Sequence, residues 1–222
     1  MTRCTVHNVA QRSSEWFALR AGKLTGSRAA AVLARIKSGE AAARRDLRMQ
    51  LVCERLSGQP QEDGFVSPEM RRGIELEPRA LAAYEIVTGA LAQTTGFLSL
   101  PDLMAGCSPD GYVGDFDTLV SLKCPKTATH IGYLRAGTMP SDYVPQMLHE
   151  LWITGAREYH FLSFDDRLPE RLQTCLIRVP RDEQAVQDYA DQAKRFLAEV
   201  DRELEALNTL ADTAGQLIKA AS

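Results

Sequence analysis

The chain has 222 residues, 45% hydrophobic and 25% charged, with a net charge of −3. That length and balance belong to one large soluble domain and exclude a disordered tail, a collagen or a membrane-embedded protein. No apolar run nears the ~20 residues needed to span a bilayer, and Met1 to Gln11 is polar where a secretory leader would be apolar, so a cytoplasmic location is expected. The five cysteines are odd in number and scattered without a CxxC pair, as reduced thiols are; they suit neither zinc nor an iron–sulfur cluster. Charge is uneven along the chain. Residues 1–60 hold 11 Lys and Arg against 4 Asp and Glu, a net of +7, and residues 61–222 carry a net of −10. This suits either a polyanion partner for the N-terminal part or helical faces that merely differ in sign.

No repeat, low-complexity tract or long linker divides the chain, so a single domain over 1–222 is expected: a basic helical part (1–66), a core (67–180) and a closing helix (181–222). Ser13-Ser14-Glu15 starts a short helix that Gly22 ends, and Ser27 can cap a second, Ala-rich one. A third helix runs from about Glu40 to Leu56. Ser67-Pro68-Glu69 is a cap followed by proline, opening a helix toward Thr88 with a break or kink at Pro78. The period then changes to short β-rich runs at 91–100, 103–107, 111–113 and 118–124, separated by Pro-Asp and Gly-Asp turns. Helices follow at 127–136 and 141–154, strands at 159–164 and 172–179, and a polar helix from Arg181 to about Leu210. This order predicts an α/β (α+β) fold with a central mixed sheet flanked by helices.

The most informative stretch is Cys107-Ser108-Pro109-Asp110-Gly111, followed ten residues later by Ser121-Leu122-Lys123-Cys124-Pro125. In a strand, Ser121 and Lys123 share one face while Val120, Leu122 and Cys124 take the other. A hairpin through Asp115 and Asp117 can bring Asp110 beside the polar pair. A carboxylate next to a strand lysine suits phosphodiester hydrolysis, with the acid on a metal and the ammonium on water or developing charge. Pro-Asp-Gly also serves any hairpin, and spacing alone leaves that alternative open.

Pro109-Asp110 with the Leu122-Lys123 strand resembles the PD-(D/E)xK nuclease motif. More specifically, the chain resembles the lambda exonuclease or YqaJ-like viral recombinase family, the phage-type alkaline exonucleases. The likeness runs from about Ser14 to Phe164 and rests on five ordered blocks: Trp16 to Gly22 with Thr25-Gly26-Ser27, Arg72 to Glu77, Gly106 to Gly111, Leu122 to Pro125, and Tyr143 to Met147. One position departs from the family. Its strand reads Glu-x-Lys, and this chain has Ser121 at the acidic position, a weak neutral ligand for a hard cation. A disabled site is therefore expected, the alternatives being a compensating neighbouring acid or natural inactivity.

The resemblance implies a PD-(D/E)xK restriction-endonuclease-like core and Mg²⁺, as two ions with Mn²⁺ able to substitute. It implies Asp110, the Ser121 position and the Leu122 carbonyl as metal ligands, and Lys123 as the group that orients water or stabilises the phosphorus. Glu77 would assist the second metal and Gln146 would hold water or phosphate. Arg20, Ser27 and Ser108 would form a pocket for a 5′-terminal phosphate, with the helix capped at Ser27 beside it. By itself Trp16 reads as core packing. The implied activity is 5′-to-3′ digestion of linear double-stranded DNA to 5′-mononucleotides, leaving a 3′ strand for recombination. A ring-shaped homotrimer, a single-strand annealing partner and a phage or prophage origin are also implied. A non-catalytic DNA-end binding module and a restriction-type endonuclease remain open.

Overall fold

The computed structural model describes residues 4–61 and 67–220, with side chains as far as Thr213. The boundary expected at residue 66 and the last two residues of the closing helix lie outside the described residues. The elements run β1 (Thr5–His7), α1 (Ser14–Arg20), β2 (Leu24–Thr25), α2 (Ala29–Leu33), α3 (Ala42–Ser57), α4 (Pro68–Thr88), β3 (Phe97–Ser99), β4 (Ala105–Cys107), β5 (Gly111–Val113), β6 (Thr118–Lys123), α5 (Thr127–Ala136), α6 (Val144–Thr154), β7 (Glu158–Phe164), β8 (Thr174–Pro180) and α7 (Glu183–Ala220).

The strands form two four-stranded mixed sheets in the orders β1-β3-β4-β2 and β5-β6-β7-β8. The expected single central sheet is thus divided, and the division falls at Ser108-Pro109-Asp110, between β4 and β5. Proline has no N–H to give a ladder, which suits it to this break. In the second sheet β6 lies between antiparallel β5 and parallel β7, with Ser121 opposite Phe161 and Lys123 opposite Ser163. One face of β6 and β7 carries Val120, Leu122, Leu162 and Phe164, packed on Ala80 and Tyr84 of α4. The principal apolar cluster extends from Leu24 through α3, β4 and α6 to Val200 of α7, so the N-terminal third and the closing helix share one core.

Several local expectations change. Ser67 caps α4 as expected, accepting from the Met70 N–H, but the helix continues through Pro78. The missing hydrogen bond costs roughly 3 kcal/mol, and burial of Leu76, Ala80 and Tyr84 on either side offsets it. The run 91–100 shortens to Phe97–Ser99 plus one bridge, Gln93 to Tyr112. Gly96 begins it where a Cβ would come within 2.3 Å of the His7 carbonyl, so only glycine lets these backbones approach. The N-terminal part is not wholly helical, because β1 and β2 close both ends of the first sheet.

Candidate active site

Three successive residues of β6 address one oxygen. The Leu122 N–H donates to Asp110 Oδ2 at 2.7 Å, the Ser121 hydroxyl at 3.4 Å, and the Lys123 ammonium lies 3.7 Å away. The β5–β6 hairpin makes this possible: Gly111 pairs with Val120, so Asp110, one residue before β5, reaches the next part of β6. The hairpin turns at Gly114 and Phe116, both with positive φ. Phe116 holds that conformation while buried and stacked on Tyr112, with ring centroids 4.0 Å apart.

Burial opposes the Lys123 charge, but the Asp110 carboxylate, with Glu150, Tyr143 and Glu77 farther off, outweighs it and raises the pKa. The Asp110 carboxylate thus favours the ammonium form of Lys123, a hydrogen-bond donor. Asp110 and Glu77 line two clefts, one of about 310 Å³ shared with Arg12, Leu122 and Lys123, the other of about 360 Å³ under Asn8 to Gln11. Glu77 pairs with Arg12 at 2.8 Å. Cys124 also faces the first cleft, and burial lifts its pKa to about 11, so it stays a thiol. The Asp110 and Glu77 carboxylates that line the clefts are oxygen donors, which suit a hard cation. No group of three or more His, Cys, Asp and Glu side chains is disposed as a metal cage among the described residues. An ion here would keep much of its water, as magnesium does. A larger cleft, about 600 Å³, lies elsewhere, between residues 32–48 and α7; Arg44 and Arg48 there pair with Glu40 and Glu199.

The second group of residues assembles on the first sheet. Strands β2 and β4 are parallel, with Thr25 opposite Gly106, so Ser27 and Ser108 leave the same end of neighbouring strands at equal distance. The Trp16 indole N–H donates to the Ser108 hydroxyl at 2.9 Å. Its ring lies under the Arg20 guanidinium, 4.0 Å from centroid to Cζ. Trp16 is core packing as expected, and it also joins Arg20 to Ser108. Ser27 does not cap a helix: it sits in the 3-10 turn Gly26–Arg28, with its exposed hydroxyl 3.3 Å from that of Thr25. Helix α2 starts after Arg28 without a side-chain cap and has five residues. The turn is anchored by Glu54, a buried carboxylate that binds Arg28 through two hydrogen bonds and accepts the Gly22 N–H.

Gln146 is drawn into the site through Glu150, one helical turn on, donating to its Oε1 at 2.8 Å. Glu150 is 2% exposed. Burial pushes its pKa up to about 7, the Gln146 bond opposes the rise and the Asp110 charge adds to it. Glu150 went unremarked in the sequence, although its i, i+4 spacing from Gln146 puts both on one helix face.

A family model, the YqaJ-like viral recombinase domain, matches residues 15–157. Among solved structures, the alkaline exonuclease LHK-Exo from Laribacter hongkongensis is 37% identical, with a TM-score of 0.81 over 91% of this chain and 100% of that one. The same enzyme in complex with dAMP gives 0.82 at the same identity and coverage. A phage-related exonuclease from Haemophilus somnus 129PT is 13% identical, with a TM-score of 0.65 over 83% of this chain and 96% of that one, a likeness of fold alone. No curated protein matches. The two mixed sheets with flanking helices are those of the PD-(D/E)xK nuclease fold.

Proposed function

The chain belongs to the YqaJ-like viral recombinase domain family, whose close structural relatives are alkaline exonucleases, and on that premise we propose that it is a Mg²⁺-dependent 5′-to-3′ exonuclease of linear duplex DNA. It releases 5′-mononucleotides and leaves a 3′ single strand for recombination. The observation that carries this reading is the adjacency of two sites: Asp110 with Lys123, and Ser108 with Arg20 through Trp16. Ser108 and Asp110 are two residues apart, at most about 7 Å of extended chain. A terminal 5′-phosphate held at Arg20 and Ser108 would bring the next phosphodiester to Asp110. The dAMP bound by LHK-Exo is a 5′-mononucleotide, the product class proposed here.

Asp110 and the Leu122 carbonyl would hold the cation, with Glu77 assisting a second ion or its water and Mn²⁺ able to replace Mg²⁺. When bound, the metal would lower the pKa of water and offset charge on the phosphate. The protein's own part is electrostatic and positional. Lys123, kept protonated by Asp110, donates to the attacking water or to a phosphate oxygen, and the Arg20 guanidinium gives bidentate contacts to the terminal phosphate. Ser27 adds a hydroxyl from the neighbouring turn, and Gln146 acts through Glu150. A cytoplasmic homotrimeric ring, working with a single-strand annealing protein, completes the proposal; no helix among the described residues is long and apolar enough to cross a membrane.

Nucleotide release from 5′-phosphorylated linear duplex in Mg²⁺ tests the site. Asp110→Asn keeps the size of the side chain and removes its charge, and should slow release by on the order of a thousandfold, about 4 kcal/mol of transition-state stabilisation. Release at the unsubstituted rate would discard the assignment.

A further inference from the structure

Helix α6 carries a buried acid that the fold leaves half satisfied. Glu150 Oε1 accepts from Gln146, but Oε2 has no hydrogen-bond partner. The Tyr159 hydroxyl, also buried, lies beside Ser121 and Glu150. The pairing of Leu119 with Tyr159 and of Ser121 with Phe161 puts Ser121, Lys123 and Tyr159 on one face of the sheet. Glu150 also feels the charges of Asp110 and Lys123. The turn at Gly26 closes the other side: a Cβ there would come within 3.0 Å of Glu150 Oε1 and 3.4 Å of Gln146 Cγ. An unsatisfied carboxylate oxygen in such a place costs stability and calls for a ligand or a proton.

Position 121 has the opposite deficit. It is 1% exposed, directed at Asp110, and holds a hydroxyl where a cation site would gain from a carboxylate. A glutamate there as well as at 150 would crowd three acids around one lysine. We propose that Glu150 is the second acidic ligand of the metal site, so that the carboxylate absent from β6 is supplied from α6, with Ser121 leaving it room and Gln146 and Tyr159 orienting it. This rests on the metal-dependent reading above, and it makes the site complete and not disabled.

Calorimetric titration of the full chain with Mn²⁺ alone, without DNA, tests the inference. The unsubstituted protein should bind, and Glu150→Gln should weaken binding on the order of tenfold or more, at least what loss of an outer-shell partner costs. Ser121→Glu combined with Glu150→Gln should recover it, a rescue that a merely structural role for Glu150 would not give. Should Glu150→Gln fail to melt cooperatively, Glu150→Asp, which draws the carboxylate back by one methylene, should show the weakened binding in a folded chain. Mn²⁺ affinity unchanged in the folded variant, or no binding by the unsubstituted protein, overturns the proposal. The two readings separate cleanly: Glu150-dependent Mn²⁺ binding in a chain that never degrades linear duplex keeps the ligand and discards the exonuclease, and degradation with Glu150-independent binding does the reverse.

Discussion

Arg20 lies over the Trp16 indole, and the same indole donates to Ser108. One aromatic side chain therefore fixes both a guanidinium and a hydroxyl, a cation–π contact on its face and a hydrogen bond from its edge. An anion bound there would meet a donor whose rotamer is already settled, which lowers the entropy cost of binding. Arg20→Ala should reduce the preference for 5′-phosphoryl over 5′-hydroxyl duplex ends in a binding assay, by about tenfold or more for a charge-assisted bidentate contact. An unchanged preference would remove Arg20 from the phosphate site. Asp110, Ser121 and Lys123 were legible because a hairpin of ordinary length and a period of two leave few ways to arrange them. Glu150 was not, since glutamate on a helix is usually solvated, and only tertiary packing buries this one. Ser27 misled because a serine before an alanine run resembles a cap; the chain instead makes a 3-10 turn that Arg28 and Glu54 hold.

The helices were the most readable elements. Their caps and periods are local, and α1, α3, α4, α5 and α6 lie close to where these signals put them. Strands of two or three residues have no period to read, so β1 and β2 were not anticipated; their pairing with β3 and β4 comes from partners 81 to 94 residues away. The division into two sheets was hidden for the same reason, since Pro109 looks alike in a turn and at a sheet boundary. Helix α3 shows how charge deceives. Arg44 and Arg48 face Glu199 on α7, and Arg55 pairs with Asp201 at 2.5 Å. Three of the basic residues of the N-terminal part, Arg44, Arg48 and Arg55, are therefore matched by acids of the closing helix.

The apolar cluster joining Leu24 to Val200 ties the N-terminal third, the sheets and α7 into one body. The ring proposed above would form by association of chains. Cyclic closure predicts a scattering mass of about three times 24.5 kDa at micromolar concentration; a monomer would remove the ring and with it the expectation of processive digestion. Independent of assembly, an exonuclease that grips a terminal phosphate needs an end. The decisive measurement is acid-soluble nucleotide release in Mg²⁺ from one plasmid prepared closed-circular and as linear duplex with 5′-phosphate ends. Progressive release from the linear form, with the circle left intact, is the predicted result. Cleavage of the circle, or no release from the linear form, would contradict the account.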